Sequence, residues 1–571
     1  MSAIVASSNR GRLAGQRQST IATAHFRLMV VMLLFIGVTG VIAGRLAWLS
    51  LFEGRPVHGG RLDPLMPARA DIVDRNGVPL ARTFDAWSIG VHPNKLLGNP
   101  ADIAARLARL MPERSAAQYE AILRSGKKFV YLRARAMPEL VAAVNAIGEP
   151  AMAFGREPER LYPQGTLAAH ILGWIKEDGS AVSGMERTLD ARLKDPAQRN
   201  NPAVLSIDAR VQAALETELQ AAMVKHSATG ASGVVLDANT GEVMAMTSLP
   251  TFNPNAPGRG TTADLSNLAN KATLNVYELG STFKMFAVAN AIESGVITSM
   301  AQRWDATAPL QVGGFKIHDD HPQNRMLSVP EVLVFSSNIG TARIADALGP
   351  SRVQAFFRKI GFADPAPIEL GAKGRPLWPH YWARTTVMTT GYGHGIAVTP
   401  LHLAVAYAAL VNGGMWRPAT LMKRDAAQTP PGRRVISEAT SYRMRQLMRM
   451  VVLKGTGRKA DVPGYRLGGK TGTADLAANG GYNRNARNSV FAAVFPVDHP
   501  RYVVVVMLQD PQGTADTFGH AEAAWTAGPV VNHLVARAGP MLGVMPEIGK
   551  DIDVSELLPL VWDPKGGNAV E

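Results

Sequence analysis

The chain predicts an α+β fold whose large C-terminal domain is built around one five-stranded antiparallel sheet. Residues 232–237 and 242–247 are apolar, strand-like runs joined by Ala238-Asn239-Thr240-Gly241, a hairpin signal. Far downstream, 465–473, 489–495 and 502–508 supply three more strands, the last two flanking Pro496-Val497-Asp498-His499-Pro500. The stretch between, roughly 262–460, reads as mostly helical, which places helices against a single sheet.

The N-terminus has a different character. Residues 1–27 carry Arg10, Arg12, Arg17 and Arg27 and read as a cytoplasmic tail, with no acid before Glu53. Residues 28–50 are long enough for a transmembrane anchor, with Arg45 snorkelling and Trp48 near the interface. No small-x-small cleavage site follows, so the expectation is an uncleaved single span, N-in, with Gly40-x-x-x-Gly44 available for helix packing. Residues 55–225 then form a mixed α/β domain with amphipathic helices at 101–110 and 116–123 and a strand running into an Asn76-Gly77 turn. Arg75, Arg160 and Glu186 read there as turn and capping residues, and His170 as a hydrogen-bonded structural histidine. The sheet-bearing domain is placed at 226–545 and a tail at 546–571. The apolar stretch 396–411 is too short to span a membrane and reads as a buried core helix.

Composition narrows the chemistry. The 571 residues include no cysteine, which excludes disulfides, thiolate metal sites and a cysteine nucleophile. The net charge of +14 could suggest nucleic acid, but no basic run with interleaved aromatics appears, and with dispersed arginines a solvated basic surface near anionic lipid or cell-wall polymer fits as well.

The chemistry concentrates in 277–295. Gly280-Ser281 opens a run that is apolar on nearly every side, and Gly295 closes it, the pattern of a helix buried all round. Ser281 falls near the helix start, where unpaired N–H groups favour developing negative charge, and Lys284 shares its face one turn on. Burial lowers a lysine's pKa toward that of a usable base, so the pair suits acyl transfer. Ser125-Gly126-Lys127-Lys128 repeats the spacing in a polar turn and is a decoy. Val334 to Gly340 puts Ser336, Ser337 and Asn338 in a turn that opens a helix. Lys470-Thr471-Gly472-Thr473 lies on a strand whose glycines let a substrate backbone pair along its edge.

The ordered trio Ser281-x-x-Lys284, Ser336-x-Asn338 and Lys470-Thr471-Gly472 resembles the active-site motifs of penicillin-binding proteins and serine β-lactamases. The resemblance extends along the chain to a class B penicillin-binding protein: one anchor, a non-catalytic pedestal with pieces around Arg75, Arg160, His170 and Glu186, then a transpeptidase domain of the penicillin-binding fold. Gly391-Tyr392-Gly393-His394-Gly395 and 508–513 are similar to division-type (septal) members.

This resemblance implies that Ser281 attacks the penultimate D-Ala carbonyl of a peptidoglycan stem peptide with Lys284 as base. The oxyanion then sits between the N–H groups of Ser281 and Thr473. Ser336 relays a proton to the departing D-Ala, and Lys470 assists while its charge keeps Lys284 neutral. Asn338 holds the peptide amide, Thr471 and Thr473 the substrate carboxylate, and Gly472 lets the substrate backbone lie along the strand. It implies acylation by β-lactam antibiotics, no metal or organic cofactor, no nucleic acid, and as partners a multi-span glycan polymerase and other division proteins. The implied location is the bacterial cytoplasmic membrane, with the catalytic domain in the periplasm. An elongation-type transpeptidase, a β-lactamase, and a β-lactam sensor or division scaffold remain open alternatives.

Overall fold

The computed structural model describes residues 26–44, 69–176, 178–257, 266–425, 427, 429–478 and 481–562. Residues 1–66 and the remainder are two separate units. In the first, Phe26–Gly44 is a 19-residue helix with every side chain exposed within the chain. At 1.5 Å per residue it measures about 28 Å, enough to cross a hydrocarbon core. The remainder of the expected span, 45–50, lies outside the described residues.

The second unit begins with a mixed sheet centred on Pro79–Val91. That strand pairs antiparallel with Val130–Ala136, Met152–Leu161 and Ile72–Val73, and Ile72–Val73 pairs parallel with Ala203–Val204. Gly77 closes the first turn at φ +87°, where Asp74 Oδ1 accepts from the N–H groups of Asn76 and Val78. Helices Pro100–Leu110 and Ala116–Leu123 bury Ile103, Leu107, Tyr119 and Leu123 against Ile89 and Val91.

Glu186 is more than a capping residue. Its fully buried carboxylate lies between Arg69 Nε at 2.7 Å and Arg160 Nε at 2.8 Å. Arg160 also donates to the Ala70 carbonyl at 2.8 Å, and Arg69 to Asp190 at 2.6 Å. The cluster ties together segments far apart in sequence. His170 is structural: its Nε2 is 2.7 Å from the Asn267 carbonyl oxygen, and burial pushes its pKa down to about 4.

The larger sheet has five antiparallel strands in the order Gly468–Ala478, Gly481–Phe495, Tyr502–Gln509, Gly230–Asp237, Val243–Leu249. The Gly468–Ala478 strand is therefore an edge. Both faces are covered, which is why Tyr502–Gln509 is apolar almost throughout. Val503, Val505 and Met507 join one core with Leu403, Tyr407 and Met448; Val504, Val506 and Leu508 join the other with Leu215, Leu219 and Val531. Pro400–Val411 is a helix with all its residues buried, capped by Thr399.

Three features depart from the sequence reading. The edge hairpin runs longer than 465–473 and 489–495, because polar residues such as Asp475 and Arg487 also pair across it. The stretch read as mostly helical also holds two short antiparallel pairs, Arg303–Ala306 with Arg325–Ser328 and Leu310–Val312 with Phe315–Ile317. Residues 551–562 are not a loose tail: Ile552, Val554 and Leu557 enter the core, and Asp551 lies 2.7 Å from Arg449.

Candidate active site

The expected helix start is a 3-10 turn, Gly280–Phe283, leading into an α-helix, Lys284–Glu293, in which Lys284 through Ala291 are buried. Phe283 and Phe286 pack with Phe357, Phe362 and Tyr407, and the Tyr407 hydroxyl donates to the Thr282 carbonyl at 2.8 Å. The turn carrying Ser281 is thus anchored from below.

It is pressed equally closely from the sides. A Cβ on Gly472 would lie 2.4 Å from the Leu279 carbonyl oxygen, and one on Gly393 2.2 Å from the Gly280 carbonyl oxygen. Gly280 combines φ +53° with an approach that would put a Cβ 2.5 Å from the Thr473 carbonyl oxygen. Gly280→Ala is therefore expected to push the Ser281 turn off the edge strand. Since a displacement of about 1 Å costs roughly 100-fold, penicillin acylation in stopped-flow should slow by about that factor.

Ser336 sits at φ +57° just before the helix Asn338–Lys359, whose N-cap is Ser337. Asp319 secures this start, accepting from Ser337 Oγ at 2.7 Å and from the Ile339 N–H at 2.9 Å. Asn338 donates to the His318 carbonyl at 2.9 Å. From the edge strand, Lys470 Nζ donates to Ser336 Oγ at 3.0 Å, to the Thr471 carbonyl at 3.1 Å and to Thr471 Oγ1 at 3.2 Å. Thr473 Oγ1 accepts from the Ala523 N–H at 3.2 Å.

Lys284 Nζ meets the same oxygen: it donates to Ser336 Oγ at 3.2 Å and, more closely, to the Ser336 carbonyl. Among the described residues Ser281 Oγ makes no hydrogen bond. The resting site therefore couples Lys284 to Ser336 rather than to Ser281.

Both lysines are fully buried. Burial pushes Lys284 down to about 7, against the opposing pull of Asp319 and Asp320. Lys470 is pushed well down, first by burial and then by the positive charge of Lys284, with Asp320 opposing. Two cations sharing one hydroxyl repel, so the pair holds its second proton weakly. The repulsion is mutual, so a charge on either lysine disfavours a charge on the other.

Ser281, Ser336, Asn338, Thr471 and Thr473 line one cavity of about 760 Å³. Gly472 is not among the lining residues and lies against the Leu279 carbonyl instead. Several contributors carry no signal in sequence. Asp319 comes from a loop between short strands, and Thr456 bonds the Thr471 hydroxyl at 2.7 Å. Only the glycines flanking Thr456 hint at a close approach.

An edge strand bearing a Lys-Thr-Gly-Thr run, set against a buried Ser-x-x-Lys turn and a Ser-x-Asn turn, defines a penicillin-binding transpeptidase. The chain belongs to that family: residues 231–533 match the penicillin-binding protein transpeptidase domain, and residues 64–201 the penicillin-binding protein dimerisation domain. It is 39% identical over 507 residues to a probable peptidoglycan D,D-transpeptidase FtsI of Caulobacter vibrioides, covering 87% of this chain and 85% of that one. It is 29% identical over 528 residues to the peptidoglycan D,D-transpeptidase FtsI of Escherichia coli K12, covering 86% and 88%. Among solved structures it is similar to penicillin-binding protein 3 of Mycobacterium tuberculosis complexed with aztreonam. There the TM-score is 0.66 at 26% identity, over 86% of this chain and 99% of that one.

Proposed function

We propose that the chain cross-links peptidoglycan at the division septum, as a class B, serine-type D,D-transpeptidase. The observation that carries this reading is the convergence of two buried lysines on Ser336 Oγ in the cavity that Ser281 also lines. Neutral Lys284 takes the Ser281 proton as Oγ attacks the penultimate D-Ala carbonyl of a stem peptide. Apo contacts of this kind commonly tighten only when substrate is bound, so Lys284 turns from the Ser336 carbonyl toward Ser281 at that stage. The N–H groups of Ser281 and Thr473 hold the oxyanion.

Ser336, bonded to both lysines, passes the proton to the leaving D-Ala amine. Asn338 holds the donor amide, and Lys470, Thr471 and Thr473 hold the terminal carboxylate while the stem pairs along the strand at Gly472. An amine of a neighbouring stem then takes the acyl group. β-Lactams acylate the same serine and stay attached.

Residues 28–50 anchor the chain in the bacterial cytoplasmic membrane, N-in, with the pedestal (55–225) and the transpeptidase domain (226–545, with 551–562 packed onto it) outside it. The anchor and pedestal are the surfaces offered to a multi-span glycan polymerase and other division proteins.

The test is labelling of the full chain with a fluorescent penicillin, wild type beside Ser281→Ala, with the adduct mapped by peptide mass. The wild type should carry one adduct on Ser281 and the variant none. A variant that labels as well as the wild type moves the nucleophile elsewhere.

A further inference from the structure

The acylation step uses Ser281, both lysines and Ser336, and leaves a proton unaccounted for in the second half of the reaction. An aliphatic acceptor amine arrives near neutral pH as an ammonium, since its pKa lies at roughly 10. It must shed one proton before it has a lone pair and a second as the C–N bond forms. The second returns through Lys284 to Ser281 Oγ as the ester C–O bond breaks, which regenerates the hydroxyl. The first needs another acceptor.

The cavity wall holds one candidate. His394 lines the catalytic cavity together with Ser281, and it also lines a neighbouring pocket of about 330 Å³ formed by Lys316, Ile317, His318, Thr389, Tyr392 and Gly395. It therefore stands where the two spaces meet. Its Nδ1 lies 3.3 Å from Glu278 Oε2, and Glu278 Oε1 accepts from the Gly395 N–H at 2.8 Å. A carboxylate on Nδ1 favours the tautomer with the proton there, which puts the lone pair on Nε2, across the ring. The histidine is also rigidly placed: Gly393, with φ +86°, seats the turn against the Gly280 carbonyl, and the Tyr392 ring packs 5.4 Å from the imidazole. Glu278 stands three residues before Ser281, so the carboxylate beside His394 and the nucleophile belong to one short segment.

We propose that His394, oriented by Glu278, takes the first proton from the acceptor amine entering through the second pocket. This rests on the acyl-enzyme reading of Ser281 above. The imidazole accepts the proton on Nε2, the freed amine attacks the acyl carbon, and His394 then releases the proton to solvent. Glu278 is a positioning residue, since it acts through His394.

The experiment uses the full chain with a D-alanyl thioester as donor and two acceptors, D-lysine, which is an ammonium at neutral pH, and hydroxylamine, which is already neutral. Penicillin labelling of each variant reports separately on acylation. In His394→Ala, aminolysis by D-lysine is expected to fall about 100-fold relative to aminolysis by hydroxylamine, in the range of general-base effects. Glu278→Gln should show the same selectivity at about tenfold. His394→Gln, which keeps size and polarity, serves as the second variant if the alanine form does not fold.

Equal losses with both amines, or no loss with either, would overturn the assignment. Absence of a penicillin adduct on the wild type would instead overturn the acyl-enzyme reading, and the base with it.

Discussion

Lys284→Met is expected to react with penicillin about 10³-fold more slowly than the wild type, the middle of the range for loss of a general base. The pH dependence gives a sharper check. A base with its pKa near 7 is protonated and idle below that value, so wild-type acylation should rise as pH climbs through about 7. The variant should lose this inflection.

Its stability should move the other way. The folded-state pKa is depressed from 10.5 to about 7, so between those values the unfolded chain binds more protons and stability rises with pH. Below pH 7 the penalty is complete, amounting to roughly 5 kcal/mol at about 1.4 kcal/mol per unit. Met fills much of the same space without a charge. The variant should therefore melt at a higher temperature than the wild type at pH 6, with the gap narrowing toward pH 10. A variant that melts lower at pH 6 would show that the Lys284 bonds to Ser336 outweigh the burial of its charge.

Glu186→Ala should act through the fold alone. It leaves Arg69 and Arg160 buried without their shared carboxylate, and breaking such a cluster from one side costs about 3–5 kcal/mol. Thermal unfolding should begin earlier, and limited proteolysis should cut first within 69–190. Protein still folded at 20 °C should label with penicillin at the wild-type rate, because no side chain in the catalytic cavity touches Glu186. Slower labelling by the folded fraction would mean that the cluster also sets the geometry of the site.

The large sheet was legible because each of its strands contains a run of apolar or small residues, and turn residues separate several of them. Tyr502–Gln509 and Pro400–Val411 are apolar all round because they are buried all round, and that pattern survives in one dimension. The three motifs that meet at the cavity were legible because each sets unusual residue types at fixed short spacings.

What stayed hidden depends on contacts across long separations. Glu186 finds Arg69 from 117 residues away, and Asp319 caps a helix from the far side of a loop. The extra rungs of the edge hairpin are polar, and polarity alone reads as loop. The resting partner of Lys284 was also beyond reach, since it depends on the left-handed backbone of Ser336 and not on any spacing.

The position of Gly468–Ala478 at the end of its sheet has one more consequence. Where Thr473, Ala474 and Asp475 border the cavity, the outward amides and carbonyls belong to an unfinished ladder, the kind of border that invites stray strands and clumping. Here the turn at 279–282 shields the inner stretch, close enough that a Cβ on Gly472 would meet the Leu279 carbonyl. The hazard that other proteins blunt with charge or proline is met here by packing, and the stretch that faces the cavity is the part left open to an added strand.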